Sequence, residues 1–202
     1  MEDELTFQDK KRIEESIRGK YAKVAKSPEG LFKYPTGLAG LMALNYDAKI
    51  TQALPEAIES SYCGVGNPFL LGPIREGDAV LDIGCGAGVD TIFAAMMVGP
   101  TGTVTGIDLV PEMLAQAREN AKLAGLRNVA FVETSAEKIP FPDAGFDVVI
   151  SNGVFNLVPD KVRALVEAIR VLKPSGRFMI ADQVLVGQLP KDKKARIKSW
   201  FR

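Results

Sequence analysis

Residues 80–90 read VLDIGCGAGVD, and this stretch decides the fold. A short apolar run reaches the acidic Asp82, three glycines follow at alternate positions, and a helical pattern opens at Asp90. Such an order is typical of a buried parallel strand that leads into a tight turn. Glycine is needed there because a Cβ would block both positive-φ conformations and the close approach of a ligand. Because the next helix directs its N-terminal amides at the turn, the stretch predicts a ligand site.

Two classes of cofactor site use a glycine turn of this kind. A dinucleotide site prefers G-x-G-x-x-G, but here the glycines are Gly84, Gly86 and Gly88, and Val89 takes the third glycine position. Asp82 suits a ligand that carries a cationic amine. The D-x-G-x-G-x-G pattern resembles motif I of the class I S-adenosylmethionine-dependent methyltransferases. The alternative is an NAD-linked oxidoreductase, which Val89 and the lack of a recognisable hydride-transfer residue disfavour.

The composition argues against several classes of protein. The chain has 202 residues, 47% of them hydrophobic, and its 25 basic residues balance 25 acidic ones. That balance predicts no nucleic-acid partner, and no apolar run is long enough for a membrane span. The acidic N-terminus has no apolar signal segment, and Cys63 and Cys85 form no disulfide framework, so we expect a cytoplasmic protein. The absence of histidine removes the commonest general base and most zinc sites.

From residue 79 onward, apolar runs typical of strands alternate with helical patterns. Strands are predicted at 79–83, 103–107, 128–133, 146–151 and 177–181, and helices at 90–98, 111–124 and 160–172. This alternation predicts an α/β fold with right-handed crossovers and a parallel sheet. Ligands bind such sheets beyond the carboxyl ends of the strands, so site residues are expected there.

Three regions are expected along the chain. Residues 1–60 form a helical N-terminal appendage, 61–184 the cofactor-binding core, and 185–202 a C-terminal tail. The appendage opens with an amphipathic helix at 8–26. It could pack over one face of the sheet or cover the cofactor, and the sequence favours neither interpretation.

Polar residues follow two of the predicted strands. Asp108 comes twenty residues after Gly88, the spacing at which a carboxylate accepts both hydroxyls of a ribose. An ordinary loop aspartate is the alternative, and the upstream glycine turn favours the ribose role. Asn152 follows the fourth strand, where it would meet the methionine end of a cofactor or cap a helix.

Three segments together resemble the arsenite methyltransferase branch of the class I family. They are SNGVFNLVPDK at 151–161, SYCGVGNP at 61–68 and LNYD at 44–47. The resemblance implies a Rossmann-like sheet of order 3-2-1-4-5, S-adenosyl-L-methionine as cofactor, and methyl transfer to a small molecule. It also implies a set of cofactor-binding residues, with Tyr21 as a further candidate: Tyr62, Gly64, Asn67, Asp82, Gly84, Gly86, Asp108, Leu109, Ser135, Ala136 and Asn152. Family members often have an acidic residue at the Ser135 position, so here the Ser135 hydroxyl and the Ala136 amide would meet the adenine.

The departures from the family concern its metalloid-binding cysteines. Arsenite methyltransferases hold trivalent arsenic with thiolates, which are soft ligands for a soft metalloid. In this chain, Gly153 stands at one of those cysteine positions, and the stretch Tyr34–Gly37, without a cysteine, stands where another pair lies. Cys63 matches a family cysteine and stands alone. A single thiolate cannot supply a three-coordinate site. We therefore expect a different acceptor, no bound metal, and an inert, buried Cys63.

A complete class I sheet has seven strands, and the last two have no counterpart in this sequence. We expect five strands, a cationic helix at 191–202, and a truncated form of a longer enzyme that turns over poorly. An edge strand needs a cover, which the appendage, that helix or a second subunit of a homodimer could provide. A non-catalytic cofactor-binding module is the second alternative.

Overall fold

The structure, a computed structural model, describes residues 5–184, 186 and 187. Its helices are α1 (Phe7–Val24), α2 (Gly37–Ala43), α3 (Ala48–Ala53), α4 (Glu56–Glu59), α5 (Val89–Val98), α6 (Pro111–Leu123) and α7 (Lys161–Val171), with a 3-10 turn at Pro68–Leu71. Its strands are β1 (Ala79–Ile83), β2 (Thr103–Asp108), β3 (Val129–Glu133), β4 (Phe146–Asn152) and β5 (Leu172–Ala181).

The five strands form one sheet in the order β3-β2-β1-β4-β5, and every neighbouring pair is parallel. This order confirms the predicted fold class. The first four strands lie within one residue of their predicted bounds. The order reverses at β1, so β1 and its flanking strands place their carboxyl ends around one crevice.

The fifth strand is longer than predicted. The sequence predicts a helix to residue 172 and a strand from 177, but α7 ends at Val171 and β5 begins at Leu172. The register passes from Phe146↔Leu172 to Val148↔Arg177, so extra residues of β5 bulge out between these pairs. The Pro-Ser-Gly turn signal lies in that bulge, where Ser175 has a φ of 66°.

The alternation of side chains along each strand divides the core between the two faces of the sheet. Leu81 and Val149 face α7, where they pack with Ala164 and Ala168, among others. Their neighbours in sequence, Val80, Val148 and Ile150, face α5 and pack with its Ala94, Ala95 and Val98. Because both faces are covered, the strands read as continuous apolar runs.

The N-terminal appendage does two different things. Residues of α2 to α4 and Tyr62 share a hydrophobic cluster with Ile92 and Phe93 of α5. This part of the appendage therefore packs over the face of the sheet that α5 covers. Helix α1 instead crosses the carboxyl ends of the strands, where its Lys10 pairs with Asp160 at 3.0 Å. At the other end of α1, Arg18 pairs with Glu133 at 3.3 Å. The packing interpretation therefore describes α2 to α4, whereas α1 lies over the end of the sheet where the cofactor is expected.

The segment after the appendage covers one face of β5. Phe69 and Ile74 pack with the cluster that contains Met179, and Arg177 donates to Pro73 O at 2.6 Å. The predicted helix at 191–202, like the rest of the tail apart from 186 and 187, lies outside the described residues. Among the residues that the structure does describe, no helix is long and apolar enough to cross a membrane.

Candidate functional site

A cleft lies at the carboxyl ends of β1 to β4. Its floor is the glycine turn after β1, and its sides are the residues that follow β2, β3 and β4. Glu14, Ile17 and Tyr21 of α1 form part of its cover, together with Tyr34 and residues 61–64. The location agrees with the expectation for a parallel sheet, and the lining includes ten of the eleven predicted site residues.

The glycine turn has the open geometry that a close-approaching ligand requires. Gly84 and Gly86 have φ angles of 71° and 53°, in the left-handed region. A Cβ on Gly86 would meet nothing within 4 Å, so the space above this backbone is free for a ligand. The Gly86 amide donates to Asp108 Oδ2 at 2.9 Å and so joins the turn to the end of β2.

Asp108, the predicted ribose-binding residue, lines the cleft at the end of β2. Its other oxygen, Oδ1, accepts from the Val110 amide at 2.9 Å. Burial raises the pKa of Asp108 above its ordinary value, and hydrogen bonds from the Val110 and Gly86 amides oppose that rise. These amides fix the carboxylate orientation in the side of the cleft.

The predicted adenine end lies beside Asp108. Leu109, Ser135 and Ala136 all line the cleft there. The Ser135 hydroxyl accepts from the Glu137 amide at 3.1 Å, so it shapes the loop after β3.

The opposite end of the cleft is closed by the loop before β1. Asn152 Oδ1 accepts from the amides of Val65 and Gly66 at 2.9 and 3.1 Å, and its Nδ2 donates to Gly66 O at 2.8 Å. Tyr62 Oη donates to the same carbonyl at 2.9 Å. A Cβ on Gly64 would collide with the Asn152 amide and the Tyr62 hydroxyl. The loop therefore closes on β4 only with glycine at position 64.

Asn67 is the one predicted site residue that does not line the cleft. Its Nδ2 donates to the carbonyls of Leu44 and Asn45 at 3.2 and 3.0 Å, and its Oδ1 accepts from the Phe69 amide at 3.0 Å. Both ends of its amide are thus used to hold the loop. The prediction of direct cofactor contact placed this residue wrongly, because the chain turns away into the 3-10 helix.

Two residues at this end were missed by the sequence reasoning. Asp90, in the first turn of α5, accepts from Tyr46 Oη at 2.7 Å and from Asn152 Nδ2 at 2.9 Å. The Tyr46 ring also packs edge-on against Tyr62, with centroids 5.2 Å apart. The only sequence signal for either was their place in matching segments, since a first-turn aspartate ordinarily indicates helix capping.

The cleft is strongly acidic. Glu14, Asp82, Asp90 and Asp108 line it, and no lysine or arginine does so within the described part of the chain. Burial and the neighbouring Asp90 raise the pKa of Asp82 well above its ordinary value, although Thr91 Oγ1 donates to it at 2.6 Å. Such walls attract a cation and repel a pyrophosphate.

The two cysteines, Cys63 and Cys85, both line the cleft. Cys63 lines the cleft beside Tyr34, whose hydroxyl donates to the Cys63 carbonyl at 3.1 Å. Burial, together with Asp108 and Asp90, raises the pKa of Cys63 to about 12. Cys85 is buried in the glycine turn. Gly153 lines the cleft with a φ of 73°, and no group of three potential metal ligands occurs among the described residues.

Comparison with known proteins identifies the family to which this chain belongs. Residues 74–202 match the family model described as a methyltransferase domain. The chain belongs to the class I S-adenosylmethionine-dependent methyltransferases. Its Rossmann-like sheet is the fold of the family, and S-adenosylmethionine is the cofactor expected for it.

Within this family the methyltransferase resembles the arsenite branch. An arsenite methyltransferase from Halobacterium salinarum is 35% identical over 198 residues, 91% of this chain and 50% of that protein. A demethylmenaquinone methyltransferase from Listeria welshimeri is 43% identical over 110 residues, 54% of this chain and 46% of that protein. A solved arsenic(III) S-adenosylmethionine methyltransferase from Chlamydomonas reinhardtii has a TM-score of 0.59 at 35% identity, covering 78% of this chain and 52% of that one. The chain thus spans about half the length of these relatives.

The residues of the cleft fit that cofactor. S-Adenosylmethionine has a sulfonium and an ammonium group against one carboxylate, so its net charge complements the acidic walls. The open space above Gly86 admits a ligand to the backbone, and Asp108 offers a carboxylate to a ribose. An NAD-linked enzyme would need instead to place two phosphates against Asp82, Asp90 and Asp108.

Proposed function

We propose that this methyltransferase transfers the methyl group of S-adenosylmethionine to a small-molecule acceptor, and that trivalent arsenic is a poor acceptor for it. The observation behind the proposal is the acidic cleft at the carboxyl ends of the strands, beside the open glycine turn. The arsenite relatives supply the reaction class, and two thiols, too few for a three-coordinate site, argue against their acceptor.

Each part of the cleft is assigned a part of the cofactor. Asp108 accepts the ribose hydroxyls, and Leu109, Ser135 and Ala136 surround the adenine. The glycine turn with Asp82, Gly84 and Gly86 receives the methionine portion, which Tyr62, Gly64 and Asn152 close off. Asn67 acts indirectly by fixing the loop, because its amide is occupied by backbone partners.

The proposed chemistry is an in-line displacement. The cofactor supplies an electrophilic methyl group on a sulfonium, and this chain supplies position and exclusion of water. Burial raises the pKa of both Tyr21 and Tyr34, so neither is suited to act as a base near neutral pH. An acceptor that needs no base, such as a thiolate or a stabilised carbanion, requires only position and exclusion of water, whereas a hydroxyl or an amine would need a carboxylate of the cleft as its base.

Two measurements test the proposal. Isothermal titration calorimetry should detect binding of S-adenosylmethionine and S-adenosylhomocysteine but not of NAD; tight NAD binding would support the oxidoreductase alternative. Release of S-adenosylhomocysteine should then be followed across a panel of thiols, activated carbon acids, phenols and arsenite. Binding without turnover of any acceptor would favour the non-catalytic module.

We further propose that a second copy of the chain covers the open edge of β5. This strand ends the sheet, and the neighbouring α7 exposes an apolar stripe of Val162, Leu165, Val166 and Ile169. A two-fold axis would bring together the same strand edge and the same apolar stripe of two copies and would cover both. Light scattering should give a dimer that Val166→Glu dissociates, and a wild-type monomer at high concentration would contradict the proposal. The cytoplasmic location stays a prediction.

A further inference from the structure

Asp90 has no role in the assignments above, yet it holds the centre of the closed end of the cleft. Its side chain is buried in the cleft wall at the first turn of α5. Tyr46 donates to Oδ1 at 2.7 Å, and Asn152 donates to Oδ2 at 2.9 Å. One carboxylate therefore joins the N-terminal appendage, the sheet and α5 at a single point.

The hydrogens available to this network favour an ionised carboxylate at position 90. Asn152 Nδ2 has two hydrogens, which reach Gly66 O and Asp90, and Tyr62 gives its one hydrogen to Gly66 O. Tyr46 has one hydrogen, and the acceptor that it approaches most closely is Asp90 Oδ1. An ionised Asp90 accepts from both partners, whereas an amide at this position would bring one donor against one of them.

The same network can also hold an extra proton. Tyr46 Oη lies 3.1 Å from Gly66 O, so it can donate there and accept from a protonated Asp90 instead. The wall thus has two hydrogen-bonding arrangements, one for each charge state of Asp90. A positively charged ligand in the cleft would favour the arrangement in which Asp90 is ionised.

We propose that Asp90 is a positioning residue for the cofactor. Through Tyr46 and Asn152 it holds the loop at 62–66 over the methionine end, and its negative charge is matched to the cationic groups of the ligand. The inference rests on the proposed binding of S-adenosylmethionine and does not depend on the identity of the methyl acceptor.

The electrostatic surroundings support this role. Burial raises the pKa of Asp90 to about 6, and the hydrogen bonds from Tyr46 and Asn152 oppose that rise. The other ionisable groups around it are Asp82 on β1, Tyr62, and Cys63 of the covering loop, and none of them is a cation. A bound cation favours the ionised form. Cofactor affinity should therefore rise with pH through about 6, with release of a proton on binding below that pH.

Calorimetry on the full chain tests the proposal, with S-adenosylmethionine titrated between pH 5 and 7 in two buffers of different ionisation enthalpy. For the wild type we expect the affinity to fall by about tenfold per pH unit below the Asp90 pKa, with proton release. Asp90→Asn should bind about tenfold or more weakly at neutral pH, because a charged hydrogen-bond acceptor is lost. Its affinity should also depend less on pH than that of the wild type, with the remaining dependence due to Asp82, whose pKa is raised as well. Tyr46→Phe keeps the carboxylate and should retain the pH dependence.

Control variants and a turnover assay distinguish a positioning role of Asp90 from a general effect of removing an acidic side chain. Asp143→Asn, at an exposed acid outside the cleft, should behave as wild type. In any acceptor assay, Asp90→Asn should raise the KM for the cofactor more than it lowers kcat. An Asp90→Asn protein that stays folded and keeps the wild-type pH profile would overturn the proposal, as would a wild type whose affinity does not vary with pH. Normal binding with no methyl transfer to any acceptor would count against the proposed function alone.

Discussion

Asn152 Nδ2 donates to Asp90 Oδ2 at 2.9 Å, although 62 positions separate the two residues in the chain. The same amide group accepts from the loop before β1, through Val65 and Gly66. One side chain at the end of β4 thus ties together the floor and the cover of the cleft. We therefore expect changes at these contacts to alter cofactor affinity more than the methyl-transfer step.

Replacing Asp108 should weaken cofactor binding without unfolding the protein. Asp108→Ala removes a charged acceptor of the ribose, which is worth about 1.5–3 kcal/mol, or roughly a tenfold to hundredfold higher Kd. Calorimetry with S-adenosylmethionine measures the effect. Asp143→Ala is the control, because Asp143 is an exposed acid outside the cleft. A folded Asp108→Ala protein with wild-type affinity would show that the ribose assignment is wrong.

A methyl group at position 64 should open the loop that closes the cleft. Gly64→Ala places a Cβ against the Asn152 amide and the Tyr62 hydroxyl. Overpacking of this kind costs about 1–3 kcal/mol, so we expect a Kd for S-adenosylmethionine higher by about tenfold or more. Gly19→Ala is the control, because a Cβ at this helical position meets nothing within 4 Å. It should stabilise α1 by about 0.5–1 kcal/mol in thermal unfolding and leave the Kd unchanged. Equal Kd values for the two variants would refute the proposed closure.

Arsenite should be a poor acceptor, and one added cysteine should not change this. Cys63 has a pKa raised to about 12, so little thiolate is present at neutral pH. In Gly153→Cys the new Cβ would stand 3.3 Å from the Val65 side chain, at a φ of 73° that disfavours any side chain. Formation of S-adenosylhomocysteine that depends on arsenite is the measurement. Turnover by the wild type at the rate of a cysteine-complete relative would contradict the prediction.

The acid stability of the protein should depend on Glu167. Its carboxylate accepts from Arg170 and from the Ile139 amide at 2.8 Å each, and the Arg170 hydrogen bond is the largest cause that lowers its pKa to about 2. A lowered pKa means that this stabilisation is complete above the ordinary value of 4.5 and is lost as the pH falls towards 2.

Glu167→Gln should therefore reduce the unfolding free energy at neutral pH by about 1–3 kcal/mol. The difference from the wild type should shrink as the pH falls through that window, as measured by urea unfolding at several pH values. Asp143→Asn, which removes an exposed partner of the same arginine, should cost less than about 1 kcal/mol. A gap between Glu167→Gln and wild type that is constant with pH would exclude the ionic explanation.

The sequence by itself determined the fold class and the position of the cleft, and its resemblance to the class I family implied the strand order. The first two follow from local rules: apolar runs of strand length, helical periods between them, and glycines that admit a ligand at the end of β1. The lining residues on the strand ends, such as Asp82, Asp108 and Asn152, were therefore found without the structure. Parallel strands bring their carboxyl ends to one edge whatever the details of packing.

Only the tertiary structure decided how the cleft is closed. Asp90, Tyr46 and Gly66 meet through contacts between distant segments, and no spacing in the sequence encodes which donor reaches which acceptor. Long-range packing also explains Val110, whose side chain cannot cap α6 with a hydrogen bond. Val110 is instead buried in a cluster with Val24 and Met113. Local patterns predict where a chain turns, whereas long-range packing decides which side chains face one another after it has turned.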